Sequence, residues 1–150
     1  MPQRKDSRPE DPVFAGNEQL FRRFNSGHYV GGMLMPAALS FPRQSFVRSK
    51  YAVPTDVLDP ACANGRDYAA WGILAIAVED IPSEVRAENC PSFEFWPKHE
   101  PIEECYAHTE LWCNRTGQYH GVYKEPPTTI KTSFRALMSQ RLRVVKQSDA

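Results

Sequence analysis

Between residues 104 and 113 the side chains alternate, with Cys105, Ala107, Thr109, Leu111 and Cys113 on one face and Tyr106, His108, Glu110 and Trp112 on the other. A period of two predicts a half-buried strand whose second face is titratable. A short loop containing Gly117 and the return run 119–123 extend it into a hairpin. Residues 71–78 form the most apolar run, stopped by Glu79 and Asp80. They suit a strand covered on both sides, although a short buried helix leaves the same signature. Runs 33–41 and 44–48 read as short strands, with Pro36 and Pro42 at their ends; 19–24 reads as a strand or as one turn of helix after an Asn17 cap, and 93–96 alternates only briefly. Residues 51–58 read as an extended stretch leading to a short helix, and 82–86 as one helical turn begun by Pro82. Ile130, Phe134, Leu137, Met138, Leu142 and Val145 recur at helical spacing and predict an amphipathic C-terminal helix. The expected class is α+β, a mixed or mainly antiparallel sheet of about five strands with that helix packed on one face.

A chain of 150 residues is the size of one domain. Residues 1–16 are polar and proline-rich, so they are expected as a flexible arm, with 17–150 as the single globular unit. The start of the chain has no apolar leader, and the 71–78 run is too short to span a bilayer. A cytoplasmic protein without a membrane association is expected, and its four cysteines are then read as reduced thiols. In that setting Asn114-Arg-Thr116 carries no glycosylation meaning.

Net charge is zero, but the distribution is uneven. Residues 1–50 carry eight Lys/Arg against four Asp/Glu, residues 51–110 three against twelve, and residues 111–150 seven against two. Mutual pairing of basic and acidic thirds is therefore expected rather than a general field for polyanions.

Candidate chemistry is limited. The glycines of 25–32 could cradle a phosphate, but their spacing fits neither the Walker nor the dinucleotide pattern and reads as a turn, with His28 a loop residue. Cys105, His108, Cys113 and His120 are residue types that suit zinc, yet alternation turns His108 away from both cysteines, so neither a metal nor another cofactor is expected. Cys62 and Cys90 lack any protease or redox signature. His108 and Glu110, two apart on one strand face, are candidate catalytic groups together with Ser40, and Arg22 and Arg48 are candidate anchors for a phosphate. The order Arg22, Ser40, Glu110 is similar to the layout of ADP-ribosyltransferase-like folds, through three common residue types rather than a family motif. Tyr106 and Trp112 are candidate ligand or interface contacts, and Lys131, Arg135, Arg141 and Arg143 a basic helix face for nucleic acid or a protein. Two functions follow: a noncatalytic binding or accessory protein that presents basic and aromatic side chains to a protein or nucleic-acid partner, or a small enzyme acting on a nucleotide or other phosphate-bearing substrate.

Overall fold

A computed structural model describes residues 7–150, apart from the side chains of residues 36 and 37. In chain order the described elements are β1 (Gln19–Phe24), β2 (Tyr29–Val30), β3 (Met33–Leu34), β4 (Ser45–Arg48), β5 (Gly72–Ala77), β6 (Glu84–Val85), β7 (Phe93–His99), β8 (His108–Arg115), α1 (Thr128–Arg141) and β9 (Arg143–Lys146). Seven strands form one sheet in the order β6-β7-β8-β4-β1-β5-β9, every pair antiparallel, while β2 and β3 make a separate hairpin. The class is α+β, with more strands than the expected five. No helix among the described residues is long and apolar enough to cross a membrane.

Both faces of the sheet are covered, which explains why β5 has no polar side. Leu74 and Ile76 join Leu20, Phe46, Phe95 and Leu111 under α1, whereas Ile73 and Ala75 join Phe21, Val47, Val57 and Leu58 on the opposite face. The helix buries Ile130, Phe134 and Met138, spaced four apart and fully covered. Phe134 also stacks on Phe95 with centroids 4.1 Å apart. Each such side chain contributes roughly 1.5–3 kcal/mol relative to exposure.

Four sequence expectations are corrected. The helix ends at Arg141 instead of continuing to Val145, because residues 143–146 peel away and pair with the outer edge of β5. The 82–86 stretch supplies β6 rather than a helical turn. The run 119–123 is not a return strand; β8 pairs with β7 and β4, and the buried Asn114 amide donates to the carbonyls of Tyr119 and Val122 to close the intervening turn. Alternation also breaks before β8 begins: residues 105–107 turn, so Cys105 packs opposite to α1 and Cys113 packs beneath it. The glycine-rich stretch is a turn, with Gly31 and Gly32 both at positive φ between β2 and β3.

From Ser7 onward, the segment expected as an arm crosses the end of the sheet, and its residues 1–6 lie outside the described residues. It meets Arg48, which is fully buried. The guanidinium donates from Nε and Nη2 to the Glu18 carboxylate, both at 2.8 Å, and to the main-chain oxygens of Asp11 and Val13 at 2.7 and 2.6 Å. It also lies over the Phe14 ring at 3.8 Å. Removing one partner of such a pair strands the other charge, so Arg48→Ala is expected to lower stability by about 3–5 kcal/mol, read from urea midpoints. Replacing both Arg48 and Glu18 with apolar residues should cost less than either single change; a double variant that is worse than both would contradict this account.

Candidate functional site

Strand register decides which side chains share a face. Phe21 lies opposite Val47, Val47 opposite His108, and Ser45 opposite Glu110. All of these positions point away from α1, as does Arg23, two residues along β1 from Phe21. On that face the loop after Asp59 folds back over the sheet and leaves a polar cleft of about 240 Å³, lined chiefly by Arg23, Ser45, Asn64, Arg66, Tyr68 and His108.

The loop wall is tied to the sheet by a disulfide. Cys62 bonds to Cys105, with Cα atoms 5.0 Å apart and a sequence separation of 43. This corrects the expectation of four reduced thiols; Cys90 and Cys113 are the free ones. Neither partner of the bridge has a spacing motif, and only the folding of residues 59–63 against the start of β8 brings them together.

His108 has a defined protonation pattern. Its Nδ1 lies 2.8 Å from the main-chain oxygen of Glu100, which can only accept, so Nδ1 carries the proton. Nε2 is then a lone-pair acceptor, without a hydrogen-bond partner among the described residues. Burial lowers the imidazole pKa, and the nearby charge of Arg23 adds to this, against the raising effect of the Glu100 carbonyl. The ring is therefore neutral at neutral pH. Arg23 lies 4.3 Å from the Tyr68 ring centroid, and burial, with a smaller contribution from the charge of Arg66, lowers its pKa.

Glu110 is two residues beyond His108 on the same face and forms a second cluster beside the cleft. It shares a hydrogen bond with Glu100, whose Oε2 accepts from the Trp112 indole at 2.9 Å. Arg43 Nε lies 3.4 Å from Glu110 and its Nη1 4.0 Å from Glu100. Burial, together with the bond to Glu100, pushes Glu110 up to about 8. Burial opposes ionisation of Glu100 as well, but its bonds to Glu110 and Trp112 and the charge of Arg43 outweigh this and hold its carboxyl below the usual range. One proton is thus shared between two carboxyls.

The remaining expected site residues are not gathered here. Arg22 faces α1, where it donates to the carbonyls of Ala38 and Ser45; burial pulls it down to about 10, still charged at neutral pH. Arg48 belongs to the buried pair described above. Ser40 is exposed at the end of a 3₁₀ turn, so Arg22, Ser40 and Glu110 do not line one cleft. Trp112 is buried, and the hydroxyl of Tyr106 donates to the Pro9 carbonyl. The four helix-region cations are spread over separate acceptors: Lys131 on Glu125, Arg135 on the Leu39 carbonyl, Arg141 on the Asp80 carbonyl and Arg143 on the Gln19 side chain.

The residue types that suit zinc are dispersed as well. Cys105 is in the disulfide, Cys113 donates to the Lys124 carbonyl beneath α1, and His120 stacks on Trp96 and meets Glu94 at 2.6 Å. Among the described residues no three His, Cys, Asp or Glu side chains converge to hold a metal.

A second, larger groove of about 510 Å³ runs between the β2–β3 hairpin and α1. It is mainly apolar and has no acid–base pair among its lining residues, and its one cation, Arg135, already donates to Leu39. Chemistry rather than volume therefore selects the polar cleft.

No protein-family model, curated protein or solved structure matches the chain.

Of the expected site residues, His108 lines the cleft and Glu110 lies beside it; Arg23, Ser45, Arg66, Tyr68 and Glu100 were not singled out from the sequence. Arg23 is the sequence neighbour of Arg22, and period-two parity puts the two on opposite faces; the register that joins Arg23 to His108 is set by long-range strand pairing, which local spacing does not encode. His99 was missed too. It is buried, accepts from the Asp11 N–H and meets the Tyr106 carbonyl, so both its ring nitrogens are occupied in supporting the fold.

Two outcomes follow from this geometry. For Glu110 the folded pKa lies above the unfolded value, so its stabilising contribution is full below about pH 4.5 and is lost as pH rises through about 8. Glu110→Gln keeps a hydrogen-bonding side chain without the charge, so its urea midpoint should gain on that of the wild type as pH is raised across that window. A constant difference between the two would remove the shared-proton assignment. For the bridge, closing a 43-residue separation is worth about 4 kcal/mol in the chain-entropy account. A Cys62→Ala/Cys105→Ala variant should lose stability of that order under oxidising conditions, and adding reductant should bring the wild type down towards it.

Proposed function

We propose that this protein binds a small phosphate-bearing ligand in the cleft between the sheet and the 59–68 loop. The observation that carries the reading is the presence of Arg23 and Arg66 on one cleft, neither with a carboxylate partner among the described residues. Two like charges brought together at a partly buried site are unfavourable until an anion joins them. Ser45, Asn64 and Tyr68 add neutral polar groups around the position such an anion would take. Planar guanidinium groups suit a phosphoryl group, which can accept two parallel N–H bonds from each.

Size restricts the ligand. Pockets for drug-sized ligands span about 300–1,000 Å³, and the cleft is about 240 Å³. A phosphate with a few carbons fits this space better than a whole nucleotide. Docking of a nucleic acid or protein on the C-terminal helix has less support, because the four cations there already meet acceptors and point to separate parts of the molecule.

The test is calorimetric titration with divalent oxyanions, phosphate and sulfate together defining the response. Saturable binding is expected, weakening as salt is raised. Arg66 is exposed, so Arg66→Ala should leave the fold intact while reducing affinity about tenfold, as for one charge-assisted hydrogen bond. No binding of either anion, or binding undiminished in an Arg23→Gln/Arg66→Ala double variant, would dispose of the reading.

A further inference from the structure

We propose that His108 makes the cleft selective for a phosphate ligand that brings its own O–H donor, so that hydrogen phosphate is preferred over sulfate. The inference rests on the anion-binding reading above and goes one step further, to the ligand's proton. Arg23 and Arg66 only donate, and by themselves they do not separate one tetrahedral dianion from another of the same size and charge. His108 differs in kind. With Nδ1–H held by the Glu100 carbonyl at 2.8 Å, its Nε2 presents a lone pair and cannot donate.

Hydrogen phosphate carries one P–OH and can give that proton to Nε2 as a hydrogen bond. Sulfate at the same charge has no proton to give, so it sets an anionic oxygen against the lone pair. The acceptor then loses its water without gaining a partner, and an unmatched polar group of this kind is the usual source of strong discrimination between near-isosteric ligands. Burial keeps the imidazole neutral, so the acceptor persists at neutral pH and above. The ring is also fixed in orientation, because the Glu100 N–H returns a bond to the His108 carbonyl at 3.0 Å and closes a two-bond clasp between the two residues. An organic phosphate with a neighbouring hydroxyl could supply the same donor; the shared requirement is a phosphoryl group with one O–H beside it.

The experiment compares Kd values at about pH 8, where inorganic phosphate, sulfate, methyl phosphate and glycerol phosphate are all mainly dianions and His108 is neutral. Phosphate is expected to bind about tenfold more tightly than sulfate or methyl phosphate, which have no O–H at that pH. Glycerol phosphate separates the sources of the donor: if it matches phosphate, a carbon-bound hydroxyl serves, and if it matches methyl phosphate, the P–OH is required. Either result supports the proposal. His108→Phe should compress the phosphate preference to about twofold or less, while His108→Gln, whose amide can both donate to Glu100 and accept from the ligand, should keep part of it. The ligand series on the wild-type protein decides the matter even where the Phe variant fails to fold. Equal affinity for phosphate and sulfate, with both dependent on Arg66, would overturn the His108 proposal and leave anion binding standing. No binding of either anion would remove both.

Discussion

The register between β1, β4 and β8 is the constraint on which the candidate site depends. Because side chains alternate with a period of two, pairing Phe21 with Val47 and Val47 with His108 also commits Arg23, Ser45 and Glu110 to that face. A slip of one residue would send this whole set under α1 and bring Leu20, Phe46 and Leu111 out from the core. Apolar burial on the helix side therefore fixes the position of the polar groups on the other. The fold enforces the cleft through side chains that never touch it, among them Phe134 and Phe95.

Arginine is used in two ways within this framework, and burial with partners separates them. Arg48 is enclosed and surrounded by acceptors: the Glu18 carboxylate, the Asp11 carboxylate at 3.7 Å, two carbonyls and an aromatic face. Arg22 is likewise committed to two carbonyls. Charges in these positions are spent on holding the chain segments 9–18 and 38–48 against the sheet. Arg23, one residue from Arg22, meets the ring and the hydroxyl of Tyr68 and makes a long 3.4 Å contact with the Val57 carbonyl, with no carboxylate partner among the described residues. Its charge is incompletely matched within the molecule. In a protein of zero net charge, such a local imbalance is more informative about ligands than the overall composition.

Periodicity made much of the architecture legible. The apolar run at 71–78, the helical stripe from Ile130 to Met138 and the placement of His108 beside Glu110 were all readable, because each is set by local spacing. What could not be read depended on long-range geometry. The Cys62–Cys105 bridge joins a loop to the approach to β8 across 43 residues, with no motif to announce it. Its presence also removes the thiol argument for a cytoplasmic setting. Residues 143–146 continue an apolar pattern compatible with a helix, and the unpaired edge of β5 converts them to a strand. Tyr106 and Trp112 looked like exposed anchors because alternation put them on the polar face; in fact the chain near Pro9 meets the first, and the Glu100 carboxylate receives the second.

The two walls of the cleft differ in how firmly they are held, and this divides their roles. The sheet wall, with Arg23, Ser45 and His108, is fixed by ladders on both sides of β4. The loop wall carries Asn64 and Gly65 at positive φ and an exposed Arg66, with the disulfide as its one covalent tie to the sheet. For the anion proposed above, the sheet wall would lose little freedom on binding, so Arg23, Ser45 and His108 would act at nearly full strength in discriminating between anions. Arg66 would instead have to be ordered from a solvated side chain, a cost that offsets part of the charge attraction it would supply. In that proposal selectivity falls to the strands and the adjustment of affinity to the loop, a division that follows from backbone restraint rather than from the identity of the residues.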